Sequence, residues 1–311
     1  MIKEDFRRDI AQAGAMACLL EAASPKVGNV NRLYDFTECF LEDFLLSAVA
    51  IEKTLGRIRQ RTVGEAILEA VTLTRQVTGT NTNLGIVLLM VPLAKAWCQI
   101  RVSGGGAPPD NTAEVQALAV ELDKVLAALS VADTRLVYQA IRLAAPGGLG
   151  HSDKSDVAEE NPQITLLQAM GLAAERDLIA NEYVNGFHTV LETGTSMLQQ
   201  GLSNGLPLPR AIAQLHLELL SRQPDTLIVR KAGQSAGIEV MNRAREVWES
   251  GGWYTEAGQK KIHILDLWLR QFGNRLNPGT TADIVANVLF VLILAKGPSF
   301  WQRLRRAAVV T

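Results

Sequence analysis

The stretch "TGTNTNLGIVLLMVP", residues 78–92, decides how this chain folds. Thr78, Thr80, Asn81, Thr82 and Asn83 run straight into Leu84, and the apolar side chains that follow do not alternate with polar ones. A half-buried strand needs that alternation. A continuous apolar pattern over 83–100 reads instead as a buried helix. One asparagine or threonine is enough to cap a helix. The surplus at this helix mouth asks for a ligand, because buried polar groups without partners are costly.

The same reading extends in both directions. Residues 4–23 show an amphipathic helix ended by Ser24-Pro25, and 37–59 show another. Thr62-Val63-Gly64-Glu65 fits a capping box that opens a helix to about 76. The segment "RVSGGGAPPDN", 101–111, is the clearest loop. Helices then fit 112–129, 133–145, 163–181, 182–201, 208–221, 226–249, 255–272 and 281–295. No segment carries convincing strand or hairpin signals, and no fixed-period repeat appears. The expectation is an all-α fold: one multi-helix, bundle-like domain of ten or more helices over 1–311.

Composition agrees. Of the 311 residues 48% are hydrophobic but only 5% aromatic, so the core must be built from Leu, Ala, Val and Ile, which favours closely packed helices. With 31 basic and 32 acidic residues the net charge is −1, and no global field draws the protein to nucleic acid. Cys18, Cys39 and Cys98 share no metal-ligand spacing and read as buried thiols of a reducing compartment. The N-terminus lacks a signal-type apolar core. The longest apolar runs, Leu84–Ala94 and Val288–Ala295, fall short of the roughly 18 residues of a membrane helix. The expected setting is the cytoplasm, with no membrane or nucleic-acid partner and with a homodimer left open.

Polar residues gather at five further places, each at or near a helix start. Ser24 to Arg32 forms a Pro/Gly turn carrying Lys26 and Asn29, which is either an ordinary interhelical loop or an anion-binding one. Gly79 and Gly85 flank the opening cluster. Pro146 to Asp156 is glycine-rich and offers Asp153 and Asp156, spaced to share a Mg²⁺ or simply to cap a helix. Glu175-Arg176-Asp177 lies inside a helical pattern, where three neighbours cannot share one face. Asn277-Pro278-Gly279-Thr280-Thr281-Ala282-Asp283 is a turn and helix cap, and Asn287 falls one turn beyond Asp283 on the same face. Asp225 to Lys231 adds an acid and two cations at a helix start. His188, His216 and His263 stand alone, and no catalytic triad, HExxH, P-loop or paired CxxC is present.

In this order the segments resemble the triphosphoribosyl-dephospho-CoA synthase family. The residues are Pro25-Lys26-Val27-Gly28-Asn29-Val30, Asn81-Thr82-Asn83-Leu84-Gly85, Gly147 to Asp156-Val157, Ala174-Glu175-Arg176-Asp177-Leu178-Ile179-Ala180 and Pro278-Gly279-Thr280-Thr281-Ala282-Asp283. The resemblance spans about 14–295. It implies an all-helical transferase that cleaves the N-glycosidic bond of ATP and passes triphosphoribosyl to 3′-dephospho-CoA, releasing adenine and making a prosthetic group. ATP is then a substrate and Mg²⁺ an expected companion of the triphosphate. The implied acids are Asp153, Asp156, Asp177 and Asp283: the first three as catalytic candidates, all four as metal ligands. The implied substrate-binding residues are Lys26, Asn29, Asn81, Thr82, Asn83, Arg230, Lys231 and Thr281. The chain departs from the citrate-lyase branch, which has histidine where Asn83 stands. Two alternatives stay open: a related phosphoribosyl transfer in making a methanopterin-type cofactor, and a nucleotide-binding helical protein without turnover.

Overall fold

A computed structural model describes residues 10–102, 111–146 and 157–297. Among these residues there are fourteen α-helices and no strand; only two isolated β-bridges, Asn31–Tyr34 and Phe36–Cys39, interrupt the helical pattern. In chain order the first seven helices are α1 (Ile10–Ala23), α2 (Leu41–Leu55), α3 (Val63–Val77), α4 (Leu84–Val102), α5 (Asn111–Ala127), α6 (Val131–Ala144) and α7 (Leu166–Ala173). The other seven are α8 (Leu178–Val184), α9 (Thr195–Ser203), α10 (Leu208–Leu220), α11 (Thr226–Ala232), α12 (Gln234–Glu249), α13 (Glu256–Arg270) and α14 (Gly279–Lys296).

The main core forms around α14, whose residues from Ile284 to Ala295 are buried without a break. Helix α14 packs on α1, α4, α10 and the π-turn Thr189–Gly194. Its 18 residues are long and apolar enough to cross a membrane, which corrects the expectation that no segment reaches that length. Most of the helix is buried inside the protein, as suits a core element. Asn287, fully buried, donates from Nδ2 to the carbonyls of Ile86 and Asp283, so the one amide in this apolar helix locks α14 to the start of α4.

Helix α4 carries Pro92 in its interior. Proline has no N–H, so the carbonyl of Leu88 loses its helical donor. The Tyr183 hydroxyl supplies a replacement at 2.6 Å, which fixes α8 against α4. A smaller core of Val27, Leu217, Leu220, Ile228, Val240, Val247, Ile262, Leu265 and Leu269 joins α10 to α13. All three cysteines are free and buried, and burial pushes the Cys39 thiol up to about 11.

Three predicted helices break where local chemistry ends them. The 163–181 pattern splits because the Asp177 carboxylate accepts the N–H groups of Ile179 and Ala180 and so starts α8 afresh. The 226–249 pattern splits at Gly233, whose φ of +93° lies where a side chain is strained. The 182–201 pattern breaks at Gly186 and Phe187, both at positive φ, and passes through the π-turn. The capping box Thr62–Glu65 forms as expected, each side chain bonding the other residue's N–H.

Candidate functional site

Helix packing gathers widely spaced residues around one cavity of about 830 Å³. Its polar wall comes from the turn after α1 (Asn29), the mouth of α4 (Thr80 to Asn83), the α7–α8 junction (Arg176, Asp177), α11 (Arg230, Lys231) and the start of α14 (Thr280, Asp283). Among the described residues the lining holds four cations, Arg75, Arg176, Arg230 and Lys231, against four carboxylates, Glu21, Glu38, Asp177 and Asp283. A near balance of this kind suits a polyanion whose counter-charges must be held at fixed points.

Each side chain is placed by its own local contacts. Asn81 accepts the Leu84 N–H through Oδ1 and so caps α4, which leaves its amide nitrogen to the cavity. Asn83 is buried and donates to the Thr74 hydroxyl, and the Thr82 and Ser47 hydroxyls bond one another. The opening polar cluster therefore anchors the helix mouth through Asn81, Thr82 and Asn83, while Thr80 to Asn83 border the cavity. Asn29 donates to Asn277 Oδ1 at 2.6 Å, and Asn277 in turn donates to Asn274. The Oδ1 of Asn29 is buried with no partner, an acceptor aimed at nothing in the protein.

The two acids on this wall differ. One oxygen of Asp177 caps α8, and the other pairs with the Arg230 guanidinium. The Asp283 carboxylate makes no hydrogen bond to any described residue, and the residue stays partly open to the cavity although it lies deep in the molecule. Loss of hydration drives its pKa well above the ordinary carboxylate value; Glu21 and Asp225 add to this, and Arg230 opposes it. Gly85 permits the arrangement. A Cβ there would stand 2.1 Å from Asp283 Oδ2, so the carboxylate rests directly on the first turn of α4. Burial lowers the Lys231 pKa, and its ammonium donates to the Asn274 carbonyl at 3.1 Å.

Four expectations need correction or fall outside the structure. Lys26 does not line the cavity. It is 1% exposed, and its ammonium bonds the carboxylate of Glu21, itself a lining residue, at 2.9 Å. His216 lies close by, and burial together with the Lys26 charge hold it down to about 3. Thr281 is also withdrawn, because its N–H and hydroxyl both donate to Asp225 Oδ2, at 2.7 and 2.8 Å. Thr280, one residue earlier, takes its place on the cavity wall. Asp153 and Asp156 lie outside the described residues. Of the four acids expected to hold magnesium, only Asp177 and Asp283 are described, and both line the cavity; among the described residues no three His, Cys, Asp or Glu side chains are grouped to hold a metal. With Asp177 committed to Arg230, the described part of the wall fits an ion that a phosphate chain brings with it, since Mg²⁺ bound to phosphates needs only one or two carboxylates.

Sequence reasoning missed Glu21, Glu38, Arg75, Arg176 and Asn274. Arg176 sat in a noted motif, and Arg75 lies one turn before the opening cluster. Glu21, Glu38 and Asn274 carry no local signal.

Much of the remaining lining is apolar, and one continuous part of it comes from α6 and α7: Val137, Tyr138, Ile141, Leu166, Ala169 and Met170 among others. The arrangement can thus hold a charged phosphate chain beside an unpaired carboxylate, with an uncharged group alongside.

Comparison with known proteins follows the same line. A family model described as "CitG: ATP:dephospho-CoA triphosphoribosyl transferase" matches residues 7–300. A curated relative from Pseudomonas fluorescens, named "Probable 2-(5''-triphosphoribosyl)-3'-dephosphocoenzyme-A synthase", is 33% identical over 122 residues, which is 39% of this chain and 41% of the relative. One of the same name from Stutzerimonas stutzeri is 29% identical over 107 residues, covering 34% and 36%. The aligned stretches thus span about two fifths or less of these relatives' length. A solved structure titled "Crystal structure of putative triphosphoribosyl-dephospho-coA synthase from Archaeoglobus fulgidus" superposes with a TM-score of 0.59 at 27% identity, covering 81% of this chain and 99% of that one.

Proposed function

The chain belongs to the CitG family of ATP:dephospho-CoA triphosphoribosyl transferases, and from that premise we propose that it moves the triphosphoribosyl group of ATP onto the 2′-hydroxyl of dephospho-CoA. The observation that supports this most strongly is the convergence of Asn29, Asn81–Asn83, Asp177, Arg230, Lys231 and Asp283 on one cavity wall, although more than 250 positions separate the first from the last.

In this reading the residues divide the work by their surroundings. Arg230, Lys231 and Arg176 take the triphosphate, which stays on the transferred group and so must be held throughout. A Mg²⁺ carried on that triphosphate would supply charge neutralisation, with the phosphates as its main ligands. Asn81 offers its amide to ribose hydroxyls, with Asn29 beside it on the wall. Asp283 is the general base, because it has no competing partner and a raised proton affinity. It accepts the proton of the acceptor hydroxyl. That oxygen bonds C1′ of the donor ribose as the C1′–N9 bond breaks, and adenine leaves with the bonding pair and takes up a proton. The negative charge of Asp177 stands on the same wall and suits an oxocarbenium-like centre.

The test is direct. The protein is incubated with ATP, Mg²⁺ and dephospho-CoA, and free adenine is followed by chromatography. Adenine and a heavier CoA species in equal amounts are expected. Release of ADP or AMP without adenine would overturn the reading.

A further inference from the structure

The family reaction leaves the apolar wall of the cavity without a task. Helix α6 contributes Val137, Tyr138 and Ile141, and α7 contributes Leu166, Ala169 and Met170. No charged side chain of these helices lines the cavity. Asp133 is turned to the Gly64 N–H and the Ser130 hydroxyl, and Arg142 donates to the carbonyls of Val157 and Glu159. A phosphate laid along α6 and α7 would meet no cation of these two helices, and burying it unpaired is costly. The triphosphate and the acceptor's diphosphate therefore belong to the polar wall, and an uncharged part of a substrate must cover this one.

The shape of the wall selects which part. Val137, Ile141 and Ala144 repeat at helical spacing along one side of α6 and all line the cavity. Seven residues at 1.5 Å per residue make a strip roughly 10 Å long. The strip is elongated and apolar and continues onto α7, which suits a flexible chain of methylenes, amides and a geminal dimethyl group better than a flat base needing several hydrogen bonds. We propose that this wall of α6 and α7 binds the pantetheine arm of the acceptor and is what distinguishes dephospho-CoA from a bare nucleotide. The proposal rests on the reaction assigned above and adds the seat of the acceptor's non-nucleotide half.

The experiment measures binding by calorimetry without ATP, so that it does not depend on turnover. Two acceptors are compared: dephospho-CoA, and the β-methyl ester of ADP, which keeps ribose and both phosphates but lacks the arm. At about 0.8 kcal/mol per buried methylene, a few such groups make dephospho-CoA bind at least about tenfold tighter to the parent protein. Ala169→Leu fills the strip and should erase most of that preference while leaving the methyl ester's Kd within about twofold. If Ala169→Leu fails to fold, Ala173→Leu on the same helix repeats the test, since Ala173 also lines the cavity and is only half-buried. Equal affinity of the parent for both acceptors, or equal weakening of both by the variant, would overturn the proposal. A retained preference in a protein that releases no adenine would sink the reaction while the arm's seat stood.

Discussion

Replacing Gly85 with alanine isolates the role of the Asp283 carboxylate without touching its charge. The new Cβ would lie 2.1 Å from Asp283 Oδ2 and 2.6 Å from its Cγ, with no backbone atom among its close neighbours. To restore an ordinary contact of 3.4 Å the oxygen must withdraw by about 1.3 Å. Two local terms then oppose each other in stability. Alanine gains up to ~1 kcal/mol over glycine in a helix. Pushing the aspartate from its rotamer costs ~0.5–1.5 kcal/mol. The net change should stay within about 1 kcal/mol, a shift in Tm of at most about 3 °C for a chain this size. Activity should not be spared, because a base displaced by about 1 Å loses roughly 10²-fold in rate. The assay pairs thermal unfolding with the initial rate of adenine release at saturating ATP and dephospho-CoA. A Gly85→Ala protein that releases adenine within about threefold of the parent rate would show that the position of Asp283 on α4 is not what the reaction uses.

Three further expectations follow from the same geometry. The folded pKa of Asp283 is raised, so the stability gained by holding its proton is complete below the unfolded value of 3.8 and is lost as pH rises through the folded value. Asp283→Asn should therefore match the parent in urea unfolding near pH 4, exceed it in stability at pH 8, and release adenine at least about 10²-fold more slowly. Lys26→Met strands the buried Glu21 carboxylate and should destabilise the fold by ~3–5 kcal/mol, much of which Glu21→Gln in the same chain should recover; a phosphate-binding lysine would instead raise the KM for ATP at unchanged stability. Arg230→Met should raise that KM about tenfold. It should also move the acid limb of the kcat profile to higher pH, since the Arg230 charge is what lowers the proton affinity of Asp283.

The helical class and many helix ends were legible in the sequence because they depend on neighbours. A Thr62–Glu65 box or an Asn81 cap bonds N–H groups three residues away, so residue type and spacing almost suffice. Asp177 shows where this fails. Within a helical pattern its cap is hidden, and what reveals it is that Arg230, 53 positions later, holds the other oxygen. Thr280 and Thr281 are equivalent in the sequence. The start of α11 engages both hydroxyls, Thr281 through Asp225 and Thr280 through the Leu227 N–H, yet only Thr280 borders the cavity.

By itself the sequence determined an all-helical chain with polar groups concentrated at helix mouths, because periodicity and capping are local physics. The tertiary structure alone decided which of those groups meet, and so which acid is left unpaired. Lys26 and Lys231 read alike along the chain, yet one neutralises a buried glutamate of the wall and the other faces the cavity. Burial and partner choice follow from tertiary packing, as where Arg230 meets Asp177 across 53 positions, and no spacing rule encodes them.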